Sequence, residues 1–199
     1  MKLLLFNDLH NNFSGAAKLV ELSLKVDVVV GAGDFCVARR RLDEIIAALS
    51  AIRKPAVLVP GNAESHEELT RACHLWPDAH VLHGSRQTLD DVTFYGIGGG
   101  IPITPFGAWS YDFSEDDAKA LLQDCPFGGV LISHSPPRGV LDRSSDGRSL
   151  GSEAVRETIG IKKPKLVVCG HIHGSAGQKA RLGETTVINA GPRGIIWEL

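Results

Sequence analysis

Five short apolar runs in this chain each end on residues able to offer oxygen or nitrogen to a metal ion, and that repetition constrains the fold more than any other feature. The runs lead into Asp8-Leu9-His10, Gly33-Asp34, Gly61-Asn62, Ser133-His134 and Gly170-His171-Ile172-His173. Alone, each is weak, since a histidine pair two residues apart is more often loop decoration than a ligand set. Together they set seven donors at the ends of five strands. Strands whose like ends must meet are strands that run parallel, and open α/β sheets gather their ligands at the carboxyl ends of such strands.

Read in order, Lys2–Phe6 is a buried-type strand, and Ser14 is the expected cap of a helix over residues 14–25 with Leu19, Leu22 and Val26 on its apolar face. A strand at 28–30, a helix over 40–52 with Leu42, Ile45, Ile46 and Leu49 at helical spacing, a strand at 56–59 and a helix over 65–76 repeat that unit. From His80 the runs shorten (80–83, 88–89, 92–97) and tight polar turns replace helices, which predicts a switch to an antiparallel or mixed sheet. Residues 96–109 are dense in glycine, proline and aromatics and read as irregular. Ser114 then caps a helix over 115–123, and a strand at 129–132, a helix over 152–159 and strands at 165–169, 180–182, 186–188 and 195–197 close the chain. With 199 residues, no repeat and no linker, one domain over residues 1–199 is expected.

A net charge of −2 gives no general attraction to nucleic acid or to an anionic membrane. The apolar run after Met1-Lys2 is too short for a signal peptide and no stretch approaches a membrane span, so a cytoplasmic location is expected. Cys36, Cys73, Cys125 and Cys169 are widely separated and form no CxxC pair; they read as core thiols in a reducing compartment, without disulfide or metal.

A two-metal site needs ligands fixed by several strands and one carboxylate able to bridge. Asp8-x-His10, Gly33-Asp34, Gly61-Asn62-x-Glu64, His134 and Gly170-His171-x-His173, in that order, resemble the signature of the calcineurin-like metallophosphoesterases. Residues 135–142, Ser-Pro-Pro-Arg-Gly-Val-Leu-Asp, look like the corresponding loop of small bacterial members. The resemblance implies an α/β fold of four layers, α-β-β-α, with two mixed β-sheets flanked by helices. It implies that Asp8, His10 and His173 hold one metal, that Asn62, His134 and His171 hold a second, and that Asp34 bridges them. In such a family a metal-bridging hydroxide attacks phosphorus in line, which makes Asp34, Asn62, His134 and His10 the catalytic set. Imidazole, carboxylate and amide donors without thiolate suit two divalent ions of Mn, Fe, Co or Zn about equally, and Mn is the one to assay first.

The activity implied is hydrolysis of a small-molecule phosphate ester, with phosphodiesters ahead of monoesters. Gly33-Asp34 continues as Phe35-Cys36-Val37, without the arginine-bearing extension typical of protein serine/threonine phosphatases, which speaks against that activity. Two rivals come from other classes. A non-catalytic scaffold binding a protein partner, as resemblance to a retromer subunit would allow, is opposed by the complete ligand set; a nuclease is opposed by the lack of an extended basic stripe.

Further residues carry a functional and a bland reading. Asn62, Arg39 and Trp109 are the candidate substrate contacts, although Arg39-Arg40-Arg41 also reads as a solvated first helical turn and Trp109, with Phe106 and Tyr111, as packing. Asn11, Asn12, Glu64 and Asp142 are candidates to orient the ligands. Ala63 departs from the family pattern Gly-Asn-His, where the imidazole contacts phosphate and assists the leaving oxygen. His66 is the nearest alternative proton donor, though it reads more simply as a helix surface residue.

Overall fold

The computed structural model describes residues 1–199. Its first half repeats strand and helix: β1 (Lys2–Phe6), α1 (Phe13–Ser23), β2 (Val28–Gly31), α2 (Leu42–Leu49), β3 (Ala56–Leu58), α3 (His66–Ala72) and β4 (Ala79–Val81). Then come β5 (Ser85–Leu89), β6 (Val92–Ile97), α4 (Glu115–Leu122), β7 (Val130–Ser133), α5 (Glu153–Lys162), β8 (Leu166–Cys169), β9 (Gln178–Leu182), β10 (Thr185–Asn189) and β11 (Ile195–Glu198).

The strands form two mixed sheets. One has five strands in the order β11-β1-β2-β3-β4, all parallel except β11, which returns from the end of the chain to pair antiparallel with β1. The other has six in the order β5-β6-β7-β8-β10-β9, parallel at its centre with β5 and β9 antiparallel at the edges. The expected change of sheet type therefore falls after β4, because β4 still runs parallel to β3.

Alternation along each central strand explains the stacking. Leu3 and Leu5, Val28 and Val30, and Val57 and Val59 point inward to meet Phe94, Val130, Ile132, Leu166, Val168 and Ile188 of the second sheet. Their neighbours Leu4, Phe6, Val29 and Leu58 point the other way, onto Leu19 of α1, Ile45, Ile46 and Leu49 of α2, and Leu69 of α3. On the far side Tyr95, Leu131, Val167 and Val187 pack against Ala118 and Leu122 of α4 and Val155 and Ile159 of α5. This is the four-layer α-β-β-α sandwich. A strand buried on both faces needs a continuous apolar run, which is how these strands read in the sequence. Fully burying one such Leu or Val contributes ~1.5–3 kcal/mol, so the two inner faces hold the sheets together.

Helix starts follow side-chain capping. Ser65 and Ser114 form capping boxes with Glu68 and Asp117, and Ser152 accepts from Val155 N at the start of α5. Glu115 of α4 also accepts from Glu153 N and Ala154 N, so one helix caps another. Two expectations need correction. The α1 cap is Asn12, whose Oδ1 accepts from Gly15 N, and Ser14 donates to that same oxygen. Arg39-Arg40-Arg41 is not a helical turn: Arg39 and Arg41 have φ of 64° and 63°, and α2 begins only at Leu42, which shortens the helix expected over 40–52. No helix is long and apolar enough to cross a membrane.

Candidate metal centre

Asp8 follows β1, Asp34 follows β2, Asn62 follows β3, His134 follows β7, and His171 and His173 follow β8, so the carboxyl ends of both sheets converge. Four of the seven strand-end donors, His10 included, sit in left-handed backbone: Asp8 at φ 54°, His10 at 45°, Asp34 at 57° and His171 at 65°. Each such residue costs on the order of 1–2 kcal/mol without a glycine, and such strain persists only where surrounding contacts dictate it. Here Asp8 N donates to Gly33 O (2.9 Å) and His10 N to Asp34 O (3.0 Å), which locks the first loop onto the second. The second and third loops touch through Gly33 and Gly61: a Cβ on Gly61 would collide with Asp34 N and Oδ1, and one on Gly33, at φ 88°, with the Gly61 backbone.

Asp34 lies at the centre. Its Oδ1 is 3.4 Å from His134 Nε2, its Oδ2 is 3.5 Å from His10 Nε2, and Ala63 N donates to Oδ1 (2.9 Å). On the Oδ2 side the donor atoms of Asp8, His10, Asp34 and His173 all lie within 4.8 Å of one another, with the Nε2 atoms of His10 and His173 3.0 Å apart. On the Oδ1 side Asn62 Oδ1 is 3.0 Å from His171 Nδ1 and 3.3 Å from His134 Nε2. The structure thus brings together all seven residues marked by the strand-end pattern.

The orientation of the imidazoles fits cations. A carbonyl only accepts, so His10 Nδ1 carries the proton toward Cys36 O (3.0 Å) and His134 Nδ1 the proton toward Ala32 O (2.8 Å). With Nδ1 so occupied, the Nε2 of each ring faces an Asp34 carboxylate oxygen, and a metal ion between ring and carboxylate would be shared by both. Burial holds the Asp8 carboxyl above its usual range, opposed by His134 and reinforced by Asp34. Burial, and then His134, pushes His171 down to about 4. At His134 burial works against the charge, but Asp34, Asp8 and the Ala32 carbonyl outweigh it and the net direction is up. This buried set of carboxylate, imidazole and amide donors can hold one or two divalent ions.

Supporting groups lie beneath. Glu64 is fully buried, and its Oε1 accepts from Asp34 N (2.8 Å) and Gly61 N (2.7 Å), fixing both loops; burial, and then Asp34, raises its carboxyl to about 7. Asn7 Nδ2 donates to Asp8 Oδ2 (2.6 Å) and to Asn189 Oδ1 (2.9 Å), and Asn189 Nδ2 donates to Ile172 O (3.0 Å). Sequence reasoning missed Asn189; its only signal is an asparagine ending an apolar run far along the chain. Of the other orienting candidates, Asn12 caps α1 and Asn11 Nδ2 donates to Arg40 O (3.1 Å). Asp142 accepts from Gly139 N, Ser149 Oγ and Gly151 N and so ties together the loop after β7 rather than a ligand.

A cavity of about 430 Å³ opens over the cluster. His10, Asp34, Asn62, His171 and His173 form its floor, and Phe106 stacks on Trp109 at one wall with ring centroids 5.6 Å apart. Ala63 and the hydroxyl-bearing Ser144 and Ser145 also line it. Arg39 does not; its Nε donates to Trp109 O (2.7 Å) and its Nη1 pairs with Glu68 (2.8 Å), so it straps the aromatic wall to α3. His66 packs against His83, 5.8 Å between centroids, outside the cavity lining.

Comparison with known proteins gives the same picture. A family model described as calcineurin-like phosphoesterase matches residues 1–175. The UPF0046 protein K07C11.7 of Caenorhabditis elegans is 29% identical over 185 residues, covering 82% of this chain and 62% of its own length, so the chain spans just under two thirds of that relative. Among solved structures, TT1561 of Thermus thermophilus superposes with a TM-score of 0.77 at 19% identity, over 96% of this chain and 88% of that one. A dimetal phosphatase from Danio rerio superposes with a TM-score of 0.64 at 14% identity, over 94% and 86% of the two chains. At such identities the structural likeness speaks for the fold.

Proposed function

The chain belongs to the calcineurin-like phosphoesterase family, and from that premise we propose that residues 1–199 act as one metallophosphoesterase domain that uses two divalent ions to hydrolyse small phosphodiesters. The observation that carries the two-ion reading is the placing of Asp34, whose two carboxylate oxygens face separate histidines at 3.4 and 3.5 Å. On this reading Asp34 would bridge, Asp8, His10 and His173 would hold one ion, and Asn62, His134 and His171 would hold the other. When bound, such a pair supplies an activated water and draws negative charge from the phosphate. The chain's own residues orient and exclude: Asn62 meets the ester from the floor, while Phe106 and Trp109 flank whatever group the phosphate carries.

The preference for diesters rests on charge. No Lys or Arg is among the residues lining the cavity, so nothing beyond the ions would balance the second charge of a monoester, and a singly charged diester needs no such partner. The same lack speaks against a nucleic-acid backbone as substrate. The ligand chemistry suits Mn, Fe, Co and Zn about equally, and Mn is the ion to assay first. Four buried free thiols support a reducing location, the cytoplasm.

A panel of phosphomonoesters, cyclic nucleotides and aryl diesters assayed with Mn²⁺, Co²⁺ and Zn²⁺ tests the proposal. Turnover of diesters ahead of monoesters is the expected result. Turnover of monoesters alone would overturn the diester preference, and no metal-dependent turnover of any ester would leave the scaffold reading in its place.

A further inference from the structure

An asparagine amide presents oxygen at one end and nitrogen at the other, and only the oxygen suits a metal. At Asn62 the choice is made by neighbours. The Asn62 Nδ2 is 3.0 Å from Ser110 Oγ, and Ser110 Oγ is 2.8 Å from Asp112 Oδ1. A carboxylate only accepts, so the single hydroxyl proton of Ser110 goes to Asp112, leaving Ser110 with only lone pairs for Asn62. The group facing Ser110 must therefore be the amide NH₂. The amide oxygen is then turned to His171 Nδ1 (3.0 Å) and His134 Nε2 (3.3 Å).

The carboxylate at the head of this chain is itself held. Asp112 Oδ2 accepts from Thr104 N (3.0 Å) and Thr104 Oγ1 (2.6 Å), and the Thr104 hydroxyl lies 3.1 Å from that of Ser110. Both threonine and serine belong to the segment between β6 and α4 that also carries Phe106 and Trp109. That segment is strapped to the third loop a second time, through Tyr111 N donating to Asn62 O (2.9 Å).

We propose that Ser110 and Asp112 are positioning residues that force the Asn62 amide to present its oxygen toward His134 and His171, and so set the affinity of that side of the centre for its ion from the loop bearing the aromatic wall. The inference rests on the reading of Asn62 as a metal ligand. Removing the hydroxyl in Ser110→Ala lets the amide turn over. In Asp112→Ala the hydroxyl is released to donate to the amide oxygen, which favours the wrong orientation. Groups that orient metal ligands in this way typically contribute roughly 10- to 100-fold in metal affinity.

The test is a calorimetric titration of Mn²⁺, and a spectroscopic titration of Co²⁺, into chelator-stripped full-length protein, with melting of the metal-free forms as a control. Wild type should take up two ions. Ser110→Ala and Asp112→Ala should each weaken one ion by roughly 10- to 100-fold and change the visible Co²⁺ spectrum of that equivalent alone, while Ser110→Thr restores it. If both alanine variants bind two ions as wild type does, or if Ser110→Thr loses the ion as fully as Ser110→Ala, the positioning role is wrong although the two-metal reading stands. Wild type that binds only one ion would overturn the two-metal reading and this inference with it.

Discussion

The Asn7 amide nitrogen lies 2.9 Å from Asn189 Oδ1, joining the carboxyl end of β1 in one sheet to that of β10 in the other directly beneath Asp8. Asn189 is fully buried, and its amide serves the Ile172 carbonyl between His171 and His173. Replacing it by Leu keeps the branched shape but leaves one amide hydrogen of Asn7 without its acceptor and takes one of two donors from that carbonyl, which keeps Ser175 N (2.9 Å). Such unsatisfied buried groups cost ~1–3 kcal/mol, so urea denaturation of Asn189→Leu should show a loss of that order, with weakened metal uptake. A variant as stable as wild type would mean that the clasp is not a structural tie.

Asp34→Asn should lower metal content sharply and abolish turnover while leaving the fold in place, because the substitution removes one charge from a cluster that also holds Asp8 and Glu64. Elemental analysis and circular dichroism check the two halves. Retention of two ions with wild-type activity would exclude Asp34 as the bridge.

Trp109 is 39% exposed and Phe106 50%, so their stack adds little to the core. Trp109→Ala should leave the melting temperature nearly unchanged and raise KM for nucleotide esters more than for a small aryl diester. Equal changes for both substrates would assign the ring to packing.

At position 63 the methyl side chain lines the cavity and His66 is turned away onto His83, so no imidazole other than those proposed to hold metal stands ready to protonate a leaving oxygen. General acid catalysis is typically worth ~10²–10⁴ in rate. Activated aryl diesters should therefore outpace alkyl esters, and Ala63→His should narrow the gap by speeding the alkyl reaction. Similar wild-type rates on both, unchanged by His66→Ala, would refute this account.

His83 provides a pH test away from the metal cluster. Burial, and then His66, pushes its imidazole down to about 4, with Glu67 opposing, and its Nδ1 accepts from Gly98 N (3.1 Å). A folded-state value below that of the unfolded chain means the neutral ring is the stabilising form. Its contribution is fully present above about 6.5 and is lost as pH falls toward about 4. His83→Asn keeps an acceptor but does not titrate, so the stability difference between wild type and variant should shift toward the variant across that window. A difference that stays constant with pH would show that His83 is protonated alike in both states.

The sequence by itself determined what depends on neighbours along the chain. Apolar runs of strand length, buried on both faces, fixed the central strands from Lys2–Phe6 to Leu166–Cys169 almost to the residue, and serines before acidic first turns fixed the starts of α3, α4 and α5. The donors were legible because each sits where a strand stops, and a turn there displays its side chains whatever the rest of the chain does. Asn12 displaced Ser14 as a cap, and the arginine run stayed outside α2, because left-handed turns at Asn11, Arg39 and Arg41 were imposed by contacts between loops. Only the tertiary structure decided that β11 returns to β1, that Asn189 meets Asn7, that Arg39 holds the Trp109 carbonyl, and that Asp112 acts on Asn62 through Ser110. Those pairs are separated by 48 to 182 residues where a side chain bridges two loops, as at Asn62 with Ser110 and Asn7 with Asn189. No periodicity reports such a distance; it is set by the packing of two sheets face to face, which brings their strand ends to one edge.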